Sequence, residues 1–156
     1  MFGGGARHRE QRGAAAVEFA LIAPLLLLLV FGIISYGYML SFRQALSQGA
    51  SEGARAAAVT LGTVGGTQQV DAARAALNQS LSSYGITCVG TNLRRNNATV
   101  GTCAVTIATC TNNAARKCAT VSVDYLYKDN ALTPTFPGLG IVMPTHLGYT
   151  AVAEVS

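Results

Sequence analysis

The chain has 156 residues, half of them hydrophobic, with 12% charged, 7% aromatic and a formal net charge of +4. A charged fraction about half the roughly 25% of soluble domains argues against disorder and against an ordinary soluble enzyme, and the length suits a single domain. Arg7, Arg9 and Arg12 crowd the first dozen positions, and what remains lacks the clustered, aromatic-interleaved basic residues that a nucleic-acid partner needs.

The basic leader, residues 1–13, ends at Gly13. From Phe19 to Phe42 no charged residue appears, a run of 24 residues. As a helix it would cover roughly 36 Å, enough for a bilayer core of roughly 30 Å. Tyr36, Tyr38 and Phe42 fall where an interfacial aromatic belt belongs. Pro24, inside the run, is tolerated in a membrane helix with a bend. Arginines precede the run and only Arg43 follows closely, so the positive-inside tendency predicts a single-pass anchor in the cytoplasmic (inner) membrane. Residues 14–42 would lie in the lipid bilayer, the N-terminus inside and residues 43–156 outside. A cleavable secretory signal, with Ala45-Leu46-Ser47 as its site, is the lesser alternative, because such apolar cores run to about 7–15 residues.

The junction reads Arg12-Gly13-Ala14-Ala15-Ala16-Val17-Glu18-Phe19. A carboxylate costs up to about 2.5–3.5 kcal/mol at the membrane centre, and a plain anchor gains nothing from one. The bland reading is an interfacial Glu18 facing the positive end of the helix dipole. The run RGAAAVEFALIAPLLLLLVFGIISYG, residues 12–37, resembles the N-terminal motif of the TadE-like family, minor pseudopilins of the tight-adherence (Tad, or Flp) pilus. Arg12, Gly13, Glu18, Phe19, Ala20, Pro24 and Gly32 fall at the family's positions. The chain departs from the family at Ser35-Tyr36-Gly37, where an acidic residue often precedes the aromatic-Gly pair, and the TadE, TadF and TadG-like branches stay open.

That resemblance implies a class III prepilin signal. A membrane prepilin peptidase would cut between Gly13 and Ala14 and leave the apolar helix on the mature protein. Glu18, beside Phe19, would then meet the new Ala14 amine of a neighbouring subunit, two costly charges compensating each other in low dielectric and setting the register of assembly. The partners implied are the prepilin peptidase, other pseudopilins, the major pilin and the inner-membrane pilus platform.

Arg43 to Val59, rich in Ala and free of Pro, continues the helix outside the membrane. Ala45, Gly49, Gly53 and Ala57 recur every four residues and give a small-residue face for close packing, either on the chain's own sheet or on a sister subunit. Gly49-Ala50-Ser51-Glu52-Gly53 spells GxSxG but lacks the preceding strand of a nucleophile elbow. Gly65-Gly66 lacks the Lys of a phosphate-binding loop. Val70, Ala73, Leu77, Leu81 and Tyr84 place a second, amphipathic helix over Gln68–Tyr84, stopped by Gly85.

Strands follow at Ile86–Val89, Val100–Thr109, Ala119–Tyr127 and Leu147–Val155. Val121, Val123, Tyr125 and Tyr127 alternate with polar residues, the mark of a half-buried antiparallel strand. Arg94-Arg95 and Arg116-Lys117 read as loop charges, and Leu132–Pro144 as a long loop. The fold class is α+β: a long N-terminal transmembrane helix, a second helix and a small antiparallel sheet forming a pilin-like head.

Cys88, Cys103, Cys110 and Cys118 lack the C-x₂-C pairs of a zinc site, and an exported domain favours disulfides. Three pairings are possible. Cys88–Cys103 with Cys110–Cys118 is preferred, closing one strand–loop–strand unit and one short loop. Asn78-Gln79-Ser80 and Asn97-Ala98-Thr99 are chance sequons in what resembles a bacterial protein. No metal site, cofactor fingerprint or His–carboxylate pair is evident, and Asp124 and Asp129 read as solvated. The expected function is that of a non-enzymatic minor pseudopilin in pilus assembly, initiation and surface adhesion. The alternative is an uncleaved bitopic protein whose outer domain binds a ligand or envelope component.

Overall fold

The structure, a computed structural model, describes residues 6–134 and 143–155, with side chains from residue 13 onward. Arg7, Arg9, Glu10 and Arg12 as side chains, and the middle of the Leu132–Pro144 loop, lie outside the described residues. Helix α1 runs from Ala6 to Val59 with Pro24 inside it, and two compact units divide the chain between Gly37 and Tyr38.

The first unit holds the apolar part of α1. Its large side chains from Val17 to Leu29 are exposed all round, the pattern of a helix whose solvent is lipid rather than water. Among the described residues, α1 is the one helix long and apolar enough to cross a membrane.

The second unit begins at Tyr38, where α1 becomes amphipathic. Met39, Phe42, Leu46, Ala50, Ala54 and Ala57 are buried, while Leu40, Arg43, Gln44, Gln48 and Arg55 stay exposed, a spacing that follows the helical period. Met39 and Phe42 end the uncharged run in sequence, yet both belong to the core of this unit. The helix stops at Thr60, whose hydroxyl and amide both donate to the Ala56 carbonyl. Helix α2 spans Thr67–Leu81, and its buried residues Gln69, Ala73, Leu77 and Leu81 recur every four positions. A 3₁₀ turn, Ser82–Tyr84, ends at Gly85 in the left-handed region, where a missing Cβ removes the steric penalty.

Five strands complete the α+β fold: β1 (Ile86–Val89), β2 (Asn92–Arg95), β3 (Ala98–Thr109), β4 (Lys117–Tyr125) and β5 (Leu147–Val155). They form one antiparallel meander in sequence order. On β4, Ala119, Val121, Val123 and Tyr125 turn inward while Thr120, Ser122 and Asp124 turn outward. Phe42 anchors one end of the core, with ring centroids 4.8 Å from Tyr125 and 4.9 Å from Tyr84.

Two expectations need correction. Arg94, Arg95 and Lys117 are not loop charges: Lys117 opens β4, and the two arginines lie on β2, which the sequence conceals because only Leu93 of its four residues is buried. The hairpin closes at Asn96-Asn97, both at positive φ, a two-residue turn whose twist suits antiparallel strands. The strand expected over Ala119–Tyr127 lies two residues earlier, and Tyr127 is buried beyond its end.

Candidate functional site

The Gly13–Ala14 peptide lies within helical backbone, and a Cβ built on Gly13 meets nothing within 4 Å. Ala14, Glu18 and Phe19 are exposed on the same helix. Among the described residues no ion pair engages Glu18. A carboxylate thus stands one turn along from Ala14, on a rod of Leu, Ile, Val and Phe.

The small-residue face is turned toward the chain's own second helix. A Cβ on Gly49 would lie 3.0 Å from Leu77 Cδ1 and 3.1 Å from Ser80 Cβ. On Gly53 it would lie 3.0 Å from the Ala73 carbonyl oxygen and 3.4 Å from Val121 Cγ2. Ala45 and Ala57 are buried with them. GxSxG sits inside this helical stretch, and Ser51 points to solvent.

Two disulfides, Cys88–Cys103 and Cys110–Cys118, hold the sheet, and no cysteine is free. The first joins β1 to β3 beside the buried Leu93. The second closes the β3–β4 hairpin, whose Arg116 reaches Glu154 of β5 at 2.7 Å. Asn78 is committed inside the fold: its Oδ1 accepts the Cys88 N–H at 2.6 Å, and its Nδ2 donates to the Cys88 carbonyl. It meets the outer edge of β1 much as another strand would. Gln69 does the same for the α1–α2 loop, accepting the Gly65 N–H and donating to the Thr60 carbonyl.

The fold also makes a pair that the sequence does not announce. Asp124 of β4 and His146, just before β5, meet at 2.9 Å beside a pocket of about 210 Å³ lined by Thr99, Gly101, Thr102 and Leu126. Both side chains are about half exposed, at 49% and 53%, so solvent screens the contact. Twenty-two positions separate them, and only the antiparallel register that sets Asp124 opposite Gly148 brings them together. Among the described residues no hydroxyl or thiol hydrogen-bonds the other ring nitrogen. No three His, Cys, Asp or Glu side chains gather to hold a metal ion among the described residues. Burial raises the Tyr125 and Tyr127 hydroxyls above the ordinary tyrosine value, and Tyr125 donates to the Asn130 carbonyl at 2.8 Å.

No curated protein and no solved structure matches the chain. The model of the family described as TadE-like protein matches residues 13–55. That stretch begins at Gly13, takes in the exposed apolar rod with Glu18, and ends two residues past Gly53. Residues 13–55, the membrane-type helix and most of its small-residue continuation, are thus the TadE-like part of this chain.

Proposed function

We propose that this protein is a membrane-anchored minor pseudopilin of a Tad-type pilus, non-enzymatic, cut after Gly13 and acting in pilus assembly, initiation and surface adhesion. The observation that carries the reading is the TadE-like match, which starts at Gly13 and covers the apolar helix. The apolar part of α1, from Ala14 to about Gly37, spans the inner membrane with the N-terminus inside, and the unit that begins at Tyr38 forms the exported domain, since Met39 and Phe42 are committed to its core. Cleavage needs an extended chain, so the prepilin peptidase must unwind the helix locally, and a glycine costs the helix roughly 1 kcal/mol relative to alanine at that point. The freed Ala14 amine and Glu18 then compensate each other across two subunits, two charges that are costly in a low-dielectric surrounding when left unpaired. The other pseudopilins, the major pilin and the inner-membrane platform are the contacts this role requires.

The deciding measurement is the mature N-terminus, from intact mass and terminal sequencing of protein taken from native membranes. A start at Ala14 with the helix retained supports the reading. A start at Met1 favours the uncleaved bitopic anchor, and a start near Gln48 makes the apolar run a discarded export signal. Glu18→Ala should insert normally yet abolish piliation; normal pili in that variant would remove the role given to Glu18.

A further inference from the structure

A groove of about 460 Å³ lies on the exposed side of α1, lined by Leu40, Arg43, Gln44, Ser47, Gln48 and Tyr149. We propose that it holds the phosphate of an anionic phospholipid headgroup, drawn from the leaflet that the exported domain faces. The proposal rests on the apolar part of α1 spanning the membrane. Leu40, Gln44 and Gln48 are spaced by four with Arg43 and Ser47 alongside, so one helix face supplies the whole wall. Tyr149, from β5, supplies the opposite one.

The lining is rich in donors and poor in anything to satisfy them. A guanidinium, two carboxamides and two hydroxyls converge, and none of these side chains has a hydrogen-bond or ion-pair partner among the described residues. Among the described side chains, the other helical arginines each lie by an acid: Arg55 by Glu52 and Arg74 by Asp71. Arg43 faces no carboxylate. A phosphate, with several acceptor oxygens and a full charge, is the group such a wall fits. Because no acid lines the groove, nothing there balances the cation of choline or ethanolamine, and the fit is to a headgroup of net negative charge.

Depth selects a lipid over a soluble anion. Arg43 is the first charged residue after the run Phe19–Phe42, and it stands six positions, roughly 9 Å of helix, past Gly37, where the exposed apolar unit ends, a distance that carries it into the headgroup layer. Leu40, one turn nearer the apolar run, and the Tyr149 ring give the glycerol end an apolar seat.

The test uses the full-length chain in nanodiscs of phosphatidylcholine, with or without phosphatidylglycerol, followed by native mass spectrometry of the lipids retained. One phosphatidylglycerol should stay bound. Its affinity should fall about tenfold or more in Arg43→Gln, a loss of one charge-assisted contact, and should be unchanged in Arg55→Gln. Tyr149→Phe, which keeps the ring, should weaken retention less. Equal retention by Arg43→Gln, equal retention of the two lipids, or displacement by inorganic phosphate would each overturn the proposal. Alkaline carbonate extraction of the same membranes separates the two claims. A chain that is released refutes the spanning reading, and one that stays while Arg43→Gln behaves as native refutes the groove alone.

Discussion

Gly49 and Gly53 lie one turn apart on α1, yet the structure predicts opposite tolerances for them. At Gly53 a Cβ would stand 3.0 Å from a main-chain oxygen of α2 and 3.4 Å from Val121 on β4. Valine adds two methyl groups beyond that Cβ, and neither a helix carbonyl nor a central strand can turn aside. Overpacking of this kind costs about 1–3 kcal/mol, and the better helix propensity of valine over glycine returns only about 0.5 kcal/mol. Gly53→Val should therefore lower the melting temperature by about 2–12 °C. At Gly49 the nearest atoms are the end of the Leu77 side chain, which can rotate, and the Ser80 Cβ at 3.1 Å, which needs to give by only a few tenths of an ångström, so Gly49→Ala, offset by its better helix propensity, should stay within about 1 kcal/mol of the native protein. The assay is a thermal melt of the full chain in detergent micelles, followed by near-ultraviolet circular dichroism of its tyrosines. A Gly53→Val protein that melts with the native one, or a Gly49→Ala protein that falls as far, would refute the packing argument.

Removing the Cys88–Cys103 bridge by paired serine substitution should destabilise by about 3 kcal/mol, and removing Cys110–Cys118 by about 2.5 kcal/mol, since the first closes the longer loop; denaturant titration in micelles reads the order. Asn78→Ala strands both backbone groups of Cys88 and should cost about 1–3 kcal/mol, with faster hydrogen exchange at the Cys88 amide as its local sign. Arg116→Ala breaks a half-exposed pair and should change stability by less than about 1 kcal/mol in the same titration. The raised hydroxyls of Tyr125 and Tyr127 keep protons in the folded state that the unfolded chain gives up. Their contribution is intact below the ordinary tyrosine value near pH 10 and is lost as pH rises past it, so tyrosinate absorbance for these two should appear together with unfolding.

Much of the fold is legible in local pattern. The uncharged run, the four-residue spacing of α2 and the alternation at Val121, Val123 and Tyr125 are each written within one turn or one strand. The two disulfides preferred from loop closure are those the structure forms. What escapes is set by distance along the chain. β2 shows one apolar residue in four, and its signal is the turn Asn96-Asn97 rather than the strand. The partner of the small-residue face could not be named, because a glycine at 53 does not say whether Ala73 or another molecule lies opposite. Asp124 and His146 are neighbours only once β4 and β5 are in register. Of the candidate site, the residue types at Gly13 and Glu18 are plain in the sequence, while the groove at Arg43 needs Tyr149, more than a hundred positions away.

The sequential meander has a consequence for how the second unit comes into being. Each strand pairs only with the one made just before it, and both disulfides join segments at most fifteen positions apart. Such local connectivity keeps contact order low within the sheet, and low contact order means quick closure of each hairpin. The slow step is different in kind: Phe42 and Gly53, made early on α1, wait for Tyr125 and Val121. Until β4 arrives, the buried face of α1 is a bare apolar surface with α2 as its first cover. A newly made chain therefore has a vulnerable interval that ends with β4, and a chaperone that shields Met39–Ala57 would have work to do only during that interval.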